Sequence, residues 1–404
     1  MPLIDVVNFN SDASCLSSRK WLRCLEGGRE SLLVGVLSAY VRSRRKVNLG
    51  FIGATVKDIA RYNPEAIEVV NEHPDVFEIV VRPFAHDNPL LRLPSGFRYN
   101  VEEGLETLRR SFARTGTFYL APEIMVNGEQ IRILHDLGIT GIFLHKGRYD
   151  LSVSRHVPDD PFVLYGVFGT AMLCVPFSAK ELESMYLRAL HGSASAEQWA
   201  AAARAASEKR QVAIWRDGES ALMHPLEPEH EAALLAAEER AGVERRFLSE
   251  IDRTSPPAAD GTLRYFPLHS LKPWLDAMKL YWYVERVQRV EQAIETLPDD
   301  VKRLWLLTIN SDILSSAEKR PPVVDVHEDV LRVAPDDVLW DGVIPLPESK
   351  QVILTRSERA GEGEDYLAYL ELLISGRATI ENICAEWRQR SEPHLKKALA
   401  RVCD

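Results

Sequence analysis

The chain has 404 residues, 46% hydrophobic and 27% charged, with a net charge of −10. That length and composition give a globular protein with a sizeable core, either one large domain with appendages or two to three domains. The negative balance argues against a nucleic-acid partner, because phosphate binding needs a basic surface, and it fits a neutral or small substrate. No run reaches the roughly 18 apolar residues of a membrane span, and MPLIDVVNFNSD has neither the basic nor the apolar part of a secretory signal. Cys15, Cys24, Cys174, Cys384 and Cys403 are scattered and form no CxxC. Reduced thiols in a cytoplasmic protein are therefore expected.

Up to residue 217, short apolar runs alternate with helical patterns. LIDVVNF (3–9) precedes SSRKWLRCLEGG, KVNLGFIG (46–53) precedes ATVKDIARY and PEAIEVVNEH, and VFEIVVRPF (76–84) precedes NVEEGLETLRRSF. GTFYLAPE (116–123) precedes NGEQIRILHDLG; TGIFLHK (140–146), PFVLYGVFG (161–169) and QVAIWRDGE (211–219) follow. Such alternation predicts parallel strands joined by crossover helices. Seven units fit an α/β fold of the (β/α)7 barrel type, a relative of the eight-unit barrel, with an open doubly wound sheet as the alternative. Beyond about residue 220 the patterns are helical, apart from a loop over 255–267 and a less regular segment after 320. The expected division is a barrel over 1–225, a helical domain over 226–320 that contributes to the active site, and a mixed or helical extension over 321–404.

Both architectures keep their chemistry at the C-terminal ends of the strands. Polar residues there are Asn8 and Asn10 after the first strand, Arg82 and His86 after the third, and Glu123 after the fourth. His145 and Arg148 follow the fifth strand, and Asp217 and Glu219 the seventh. Glu123 and Asp217 close strands three apart in order, so a closed barrel would let them face each other across its mouth. Two carboxylates across a sugar make a glycosidase, one attacking the anomeric carbon and the other protonating the leaving oxygen. On pattern alone, they also read as helix caps or ion-pair partners.

YLAPEIMVNGEQIRILHDLGI resembles the nucleophile region of glycoside hydrolase family 57, and VAIWRDGESALMHP resembles its Asp-x-Glu segment. LWLLTINSDILSS is similar to a downstream helical segment of that family. The resemblance covers about residues 4 to 320 and implies a (β/α)7 barrel followed by a helical domain. It implies a retaining enzyme on α-linked carbohydrate, hydrolysing or transferring, with Glu123 as nucleophile and Asp217 as acid/base. Glu219 is then the companion of Asp217, and Asp312 lies near the site. Neither cofactor nor metal is required. In the family the first strand usually ends in His-x-His-Gln-Pro, where this chain has Asn8, Phe9, Asn10, Ser11 and Asp12. Asparagine can hydrogen-bond a sugar hydroxyl but carries no proton charge.

His86 and Asp87 are further candidates for contacting the sugar, with Asn8, Asn10 and His145. Lys146 or Arg148 would supply a cation to keep Glu123 ionised. A metal-dependent deacetylase, like the related carbohydrate esterases whose Asp-Asp pair and His-x3-His motif bind a metal, would need about three ligands; the sequence offers Asp12, His86 and His145, with Leu90 where that resemblance implies a second histidine. The other alternative is a carbohydrate-binding barrel that has lost turnover. Tyr281, Trp282 and Tyr283 read as helix core, with a sugar-stacking wall as the second choice. The partners expected are a carbohydrate substrate, no nucleic acid and no membrane; self-association into a homo-oligomer is left open.

Overall fold

A computed structural model describes residues 2–10, 24–145, 160–165, 169–177, 182, 185–186, 188–189, 192–209, 211–218, 227–251, 258–262, 281–310, 325–327, 330–332, 343–345 and 356–403. Seven strands form a closed parallel ring: β1 (Leu3–Phe9), β2 (Val47–Phe51), β3 (Phe77–Val81), β4 (Thr115–Tyr119), β5 (Gly141–His145), β7 (Ala171–Phe177) and β8 (Val212–Asp217). β5 pairs with β7, and β8 returns to β1, so the ring closes. Ile4, Val6, Val80, Phe118, Phe143, Val175 and Ala213 fill the interior. Between them alternate residues such as Val7, Leu49, Phe51 and Ile79, which pack outward. Burial on both faces explains why these strands read as continuous apolar runs rather than alternating ones.

Crossover helices cover the outside: α1 (Leu32–Ser43), α2 (Gly53–Tyr62), α3 (Pro64–Glu72), α4 (Pro94–Ser111), α5 (Gly128–Asp136) and α6 (Ala196–Lys209). α5 starts where Asn127 and Gln130 form a reciprocal capping box. Helix α7 (Glu227–Arg240) packs on α1 and α6. Beyond it, Leu248 and Ile251 enter the barrel core, and the Leu3 amide donates to Glu244 O at 2.7 Å. Residues 227–251 thus pack with the barrel, beyond the boundary drawn at 225.

Charge pairing pins α7 in place. Arg216 grips Asp5 through Nε at 2.8 Å and Nη2 at 2.5 Å, and its Nη1 donates to Glu231 at 3.2 Å. Arg245 joins Asp5 at 2.5 Å to Glu238 at 2.7 Å. Burial pushes the Asp5 carboxyl up, but the two guanidiniums outweigh it and hold it below its ordinary value.

The sixth barrel strand differs from the expectation. The strand expected over 161–169 is β6 (Phe162–Tyr165), and β7, which is absent from the expected strands, pairs with it antiparallel, with Gly169 at φ +74° in the connection. β7 closes the barrel, while β6 lies outside the ring. The loop expected over 255–267 contains β9 (Ala258–Thr262), which extends β6 in parallel. Its Ala-Ala-Asp-Gly-Thr sequence has little strand propensity, so the pairing comes from its neighbour.

Helices α8 (Tyr281–Glu291), α9 (Asp299–Thr308), α10 (Arg356–Ile374), α11 (Ile380–Gln389) and α12 (Pro393–Val402) share one core. Tyr283, Leu304, Trp305, Tyr366, Leu370, Trp387 and Leu395 build it, on Ile52, Ala54, Phe84 and Ala85 from the ends of β2 and β3. The expected division between 320 and 321 therefore runs through a single packed unit. A small antiparallel sheet, β10 (Asp325–His327), β11 (Val330–Arg332) and β12 (Val343–Pro345), lies between its halves in sequence. Arg401 on α12 donates to Asp58 on α2 at 2.9 Å, tying the last helix to the barrel.

The expectation of reduced thiols fails at one pair. Cys384 and Cys403 form a disulfide, because the antiparallel turn from α11 to α12 brings their Cα atoms to 6.1 Å, within bridging range. Cys24 and Cys174 are buried, and Cys15 lies outside the described residues. Among the described residues no helix is long and apolar enough to cross a membrane.

Candidate active site

The C-terminal ends of the strands form the mouth of the barrel, and Asn8, Gly50, Arg82, Leu120 and Phe177 stand at or next to those ends. Strand register sets Asn8 between Gly50 of β2 and Asp217 of β8. Gly50 is packed between the two side chains: a Cβ there would be in ordinary contact with Arg82 Cδ at 3.5 Å and Asn8 Oδ1 at 3.6 Å. Asn8 is buried, and its Oδ1 has no hydrogen-bond partner among the described residues. An unpaired buried carbonyl is costly, and a hydroxyl donor would satisfy it.

Arg82 is 1% exposed. Its Nη1 donates to Leu120 O at 3.1 Å and Ala121 O at 3.4 Å. These carbonyls lead directly into the 3-10 turn Pro122–Ile124, which holds the backbone of Glu123. Ile124 has φ +54° and is buried in the barrel core. A β-branched residue in the left-handed region is strained and persists only where its surroundings over-determine it.

The loop after β3 carries His86 and Asp87. Asn100 of α4 clamps it, accepting from the Ala85 amide at 2.8 Å and donating to Ala85 O at 3.2 Å. Burial, with the charge of Arg82, pushes the His86 imidazole down to about 3. His86 is thus neutral, a hydrogen-bonding group rather than a cation. Burial pushes the Asp87 carboxyl up to about 7, against the opposing pull of Arg92. Asn100 also favours the charged form of Asp87. Its amide nevertheless bonds Ala85, and neither Asp87 oxygen has a hydrogen-bond partner among the described residues. The Tyr119 hydroxyl, likewise buried without such a partner, is raised first by burial and then by Asp87.

The helical unit reaches this loop at two places. Arg92 forms a buried ion pair with Glu291 of α8, which also accepts from the Leu93 amide at 2.7 Å. The Asp87 backbone pairs with Asn310, just after α9. Tyr283 sits in the helical core, its hydroxyl donating to Thr308 O at 2.8 Å, so it forms no sugar-stacking wall.

The residues expected from sequence fall into three groups. Asn8, Asn10, His86 and Asp87 are described in full and lie at the ends of β1 and β3, with His86 and Asp87 buried. Glu123, His145 and Asp217 are described in their backbone, at the ends of β4, β5 and β8. Around the ring β4 and β8 are separated by β5 and β7 on one side and by β1, β2 and β3 on the other, so these ends lie across the mouth. Glu219, Asp312, Asp12, Lys146 and Arg148 lie outside the described residues. Among the described residues no cluster of three metal-ligating side chains occurs. The cation expected from sequence is Lys146 or Arg148 after β5, whereas the buried arginine of the site is Arg82 after β3. The signal was present: an arginine directly follows the buried run FEIVV.

The sequence profile of glycosyl hydrolase family 57 matches residues 17–241. No curated protein is similar at the level of sequence. A GH57-type branching enzyme from the archaeon Pyrococcus horikoshii has a similar fold, with TM-score 0.62 and 10% identity over 99% of this chain and 94% of that one. The 4-alpha-glucanotransferase from Thermococcus litoralis aligns with TM-score 0.59 and 13% identity, over 78% of this chain. The chain spans only 56% of that enzyme's length. A GH57 branching enzyme from Thermococcus kodakaraensis, in complex with glucose, gives TM-score 0.58 and 11% identity over 78% of this chain and 85% of that one. At such identities the likeness is one of fold.

Proposed function

The chain belongs to glycosyl hydrolase family 57, and on that premise we propose that it acts on α-linked carbohydrate by double displacement, with Glu123 as nucleophile and Asp217 as acid/base. The observation that carries the reading is the placement of the two backbones, at strand ends on opposite sides of one barrel mouth. Barrel enzymes keep their chemistry at that face.

In the first step the Glu123 carboxylate attacks the anomeric carbon, forming a glycosyl ester, while Asp217 gives its proton to the departing oxygen. In the second step Asp217 takes a proton from water or from an acceptor sugar hydroxyl. That oxygen attacks the anomeric carbon and releases Glu123 as carboxylate. Water gives hydrolysis, and a sugar hydroxyl gives transfer. Asn8 and neutral His86 are suited to bind hydroxyls without competing for the proton.

The test is turnover of maltoheptaose and amylose by Glu123→Gln and Asp217→Asn. Loss of a general acid costs about 10²–10⁴-fold, and loss of the nucleophile at least about as much. Full activity in both variants sinks the assignment. A second reading, a sugar-binding barrel without turnover, draws support from Asn8 and Asn10 in place of the expected histidines. Calorimetric binding of these glucans with no product formed would favour it.

A further inference from the structure

We propose that Arg82 is a positioning residue of this site: its guanidinium holds the turn that carries Glu123 and sets a fixed positive charge at the mouth. The inference rests on the proposed role of Glu123 as nucleophile.

Three observations lead to it. The first is burial. A guanidinium at 1% exposure must be met by polar groups, since a buried charge is otherwise very costly. The second is where its hydrogen bonds go. β4 stops pairing with β3 once the Leu120 amide has donated to Val81 O at 2.9 Å. The next two carbonyls, Leu120 O and Ala121 O, are taken up by Arg82 Nη1. Only Pro122 separates them from Glu123. The third is the strain just beyond. Ile124, at φ +54°, is in a conformation that an isoleucine avoids. Two hydrogen bonds from a rigid planar group on one side, and core burial of the Ile124 side chain on the other, hold the turn there.

Gly50 lies beside this arginine, where a Cβ would be in ordinary contact with Arg82 Cγ and Cδ at 3.6 and 3.5 Å. Gly104 lets α4 approach the Arg82 carbonyl so closely that a Cβ would stand 2.3 Å from it. The field of the guanidinium is felt nearby, since it contributes to the low value of His86. A fixed cation at this height favours the ionised form of a carboxylate at the mouth, the form a nucleophile needs. Lysine would keep the charge but lose the planar fork that locks the orientation.

Arg82→Lys and Arg82→Gln in the full chain, assayed on maltoheptaose beside Glu123→Gln, test the inference. Misplacement of a reacting group by about an ångström costs about a hundredfold. Arg82→Gln is therefore expected to lose about a hundredfold in kcat and Arg82→Lys about tenfold, with KM within about threefold. Variants that fold and keep the kcat of the unsubstituted chain overturn the inference, as does a change confined to KM. If Arg82→Gln does not fold, the kcat and KM of Arg82→Lys decide. If Glu123→Gln is itself fully active, the assignment of Glu123 fails first. If Glu123→Gln is inactive while the Arg82 variants are unimpaired, the positioning role alone fails. Hydrogen exchange gives a readout without substrate. The amides of Ile124 and Met125, bonded to Ala121 O and Pro122 O at 3.0 and 3.2 Å, should exchange at least about tenfold faster in Arg82→Lys. Unchanged exchange there counts against the role.

Discussion

Replacing Asp87 with asparagine removes a group whose burial makes the fold less stable as pH rises. The Asp87 carboxyl is 1% exposed and is pushed up to about 7 from an ordinary 3.8. A carboxyl raised in the folded state binds its proton more tightly there than in the unfolded chain. Stability is then greatest below the unfolded value, falls through the window from about 4 to about 7, and levels off above it. A shift of about three units at about 1.4 kcal/mol each amounts to roughly 4 kcal/mol. Roughly 2.5 kcal/mol of that falls between about pH 5 and about pH 8. Urea unfolding at these two pH values, on the unsubstituted chain and on Asp87→Asn, measures it. Glu78, also raised by burial, is present in both proteins and cancels in the difference. The stability lost between the two pH values should be smaller in Asp87→Asn by roughly 2.5 kcal/mol. Equal losses in the two proteins would show that Asp87 is charged in the fold or is not buried as described.

Asp5→Asn takes from Arg216 and Arg245 the carboxylate they share. It should cost about 3–5 kcal/mol in urea unfolding, and a loss near zero would mean the network is solvated. Gly104→Ala puts a methyl 2.3 Å from Arg82 O and 2.5 Å from Pro83 C. Because those atoms are backbone, the expected cost is about 1–3 kcal/mol with a fall in kcat, and a neutral result would contradict the close approach of α4. Reducing the disulfide between Cys384 and Cys403, 19 residues apart, should cost about 3 kcal/mol. An unchanged melting temperature in reductant would argue against the bridge.

Much of the barrel was legible because its strands are buried on both faces. LIDVVNF, FEIVV and GIFLH stand out as apolar runs with helical patterns behind them. The strand expected over 161–169 is β6, outside the ring, and the barrel strand β7 follows it across a hairpin inside one largely apolar stretch, so no helical pattern separates the two. The packing of the C-terminal part is hard to read for another reason. Its helices pack on residues far away in sequence, as Arg401 does on Asp58, and periodicity says which face is apolar but not what covers it. For the candidate site, strand ends pointed to Asn8, His86, Glu123 and Asp217. The register that puts Asn8 beside Asp217 exists only once β8 closes on β1. Arg82 was missed because its role lies in two carbonyls of the next strand's exit, a contact that no residue pattern encodes.

Covalent trapping tests the central claim most directly. A 5-fluoro-α-glucosyl fluoride reacts with a double-displacement enzyme but leaves it slowly, so the glycosyl ester accumulates. Peptide mass analysis of the trapped protein should find one added glycosyl group on Glu123, and none in Glu123→Gln. An ester on a different carboxylate, or glucan turnover with α-configured product and no trapped ester, would contradict the account.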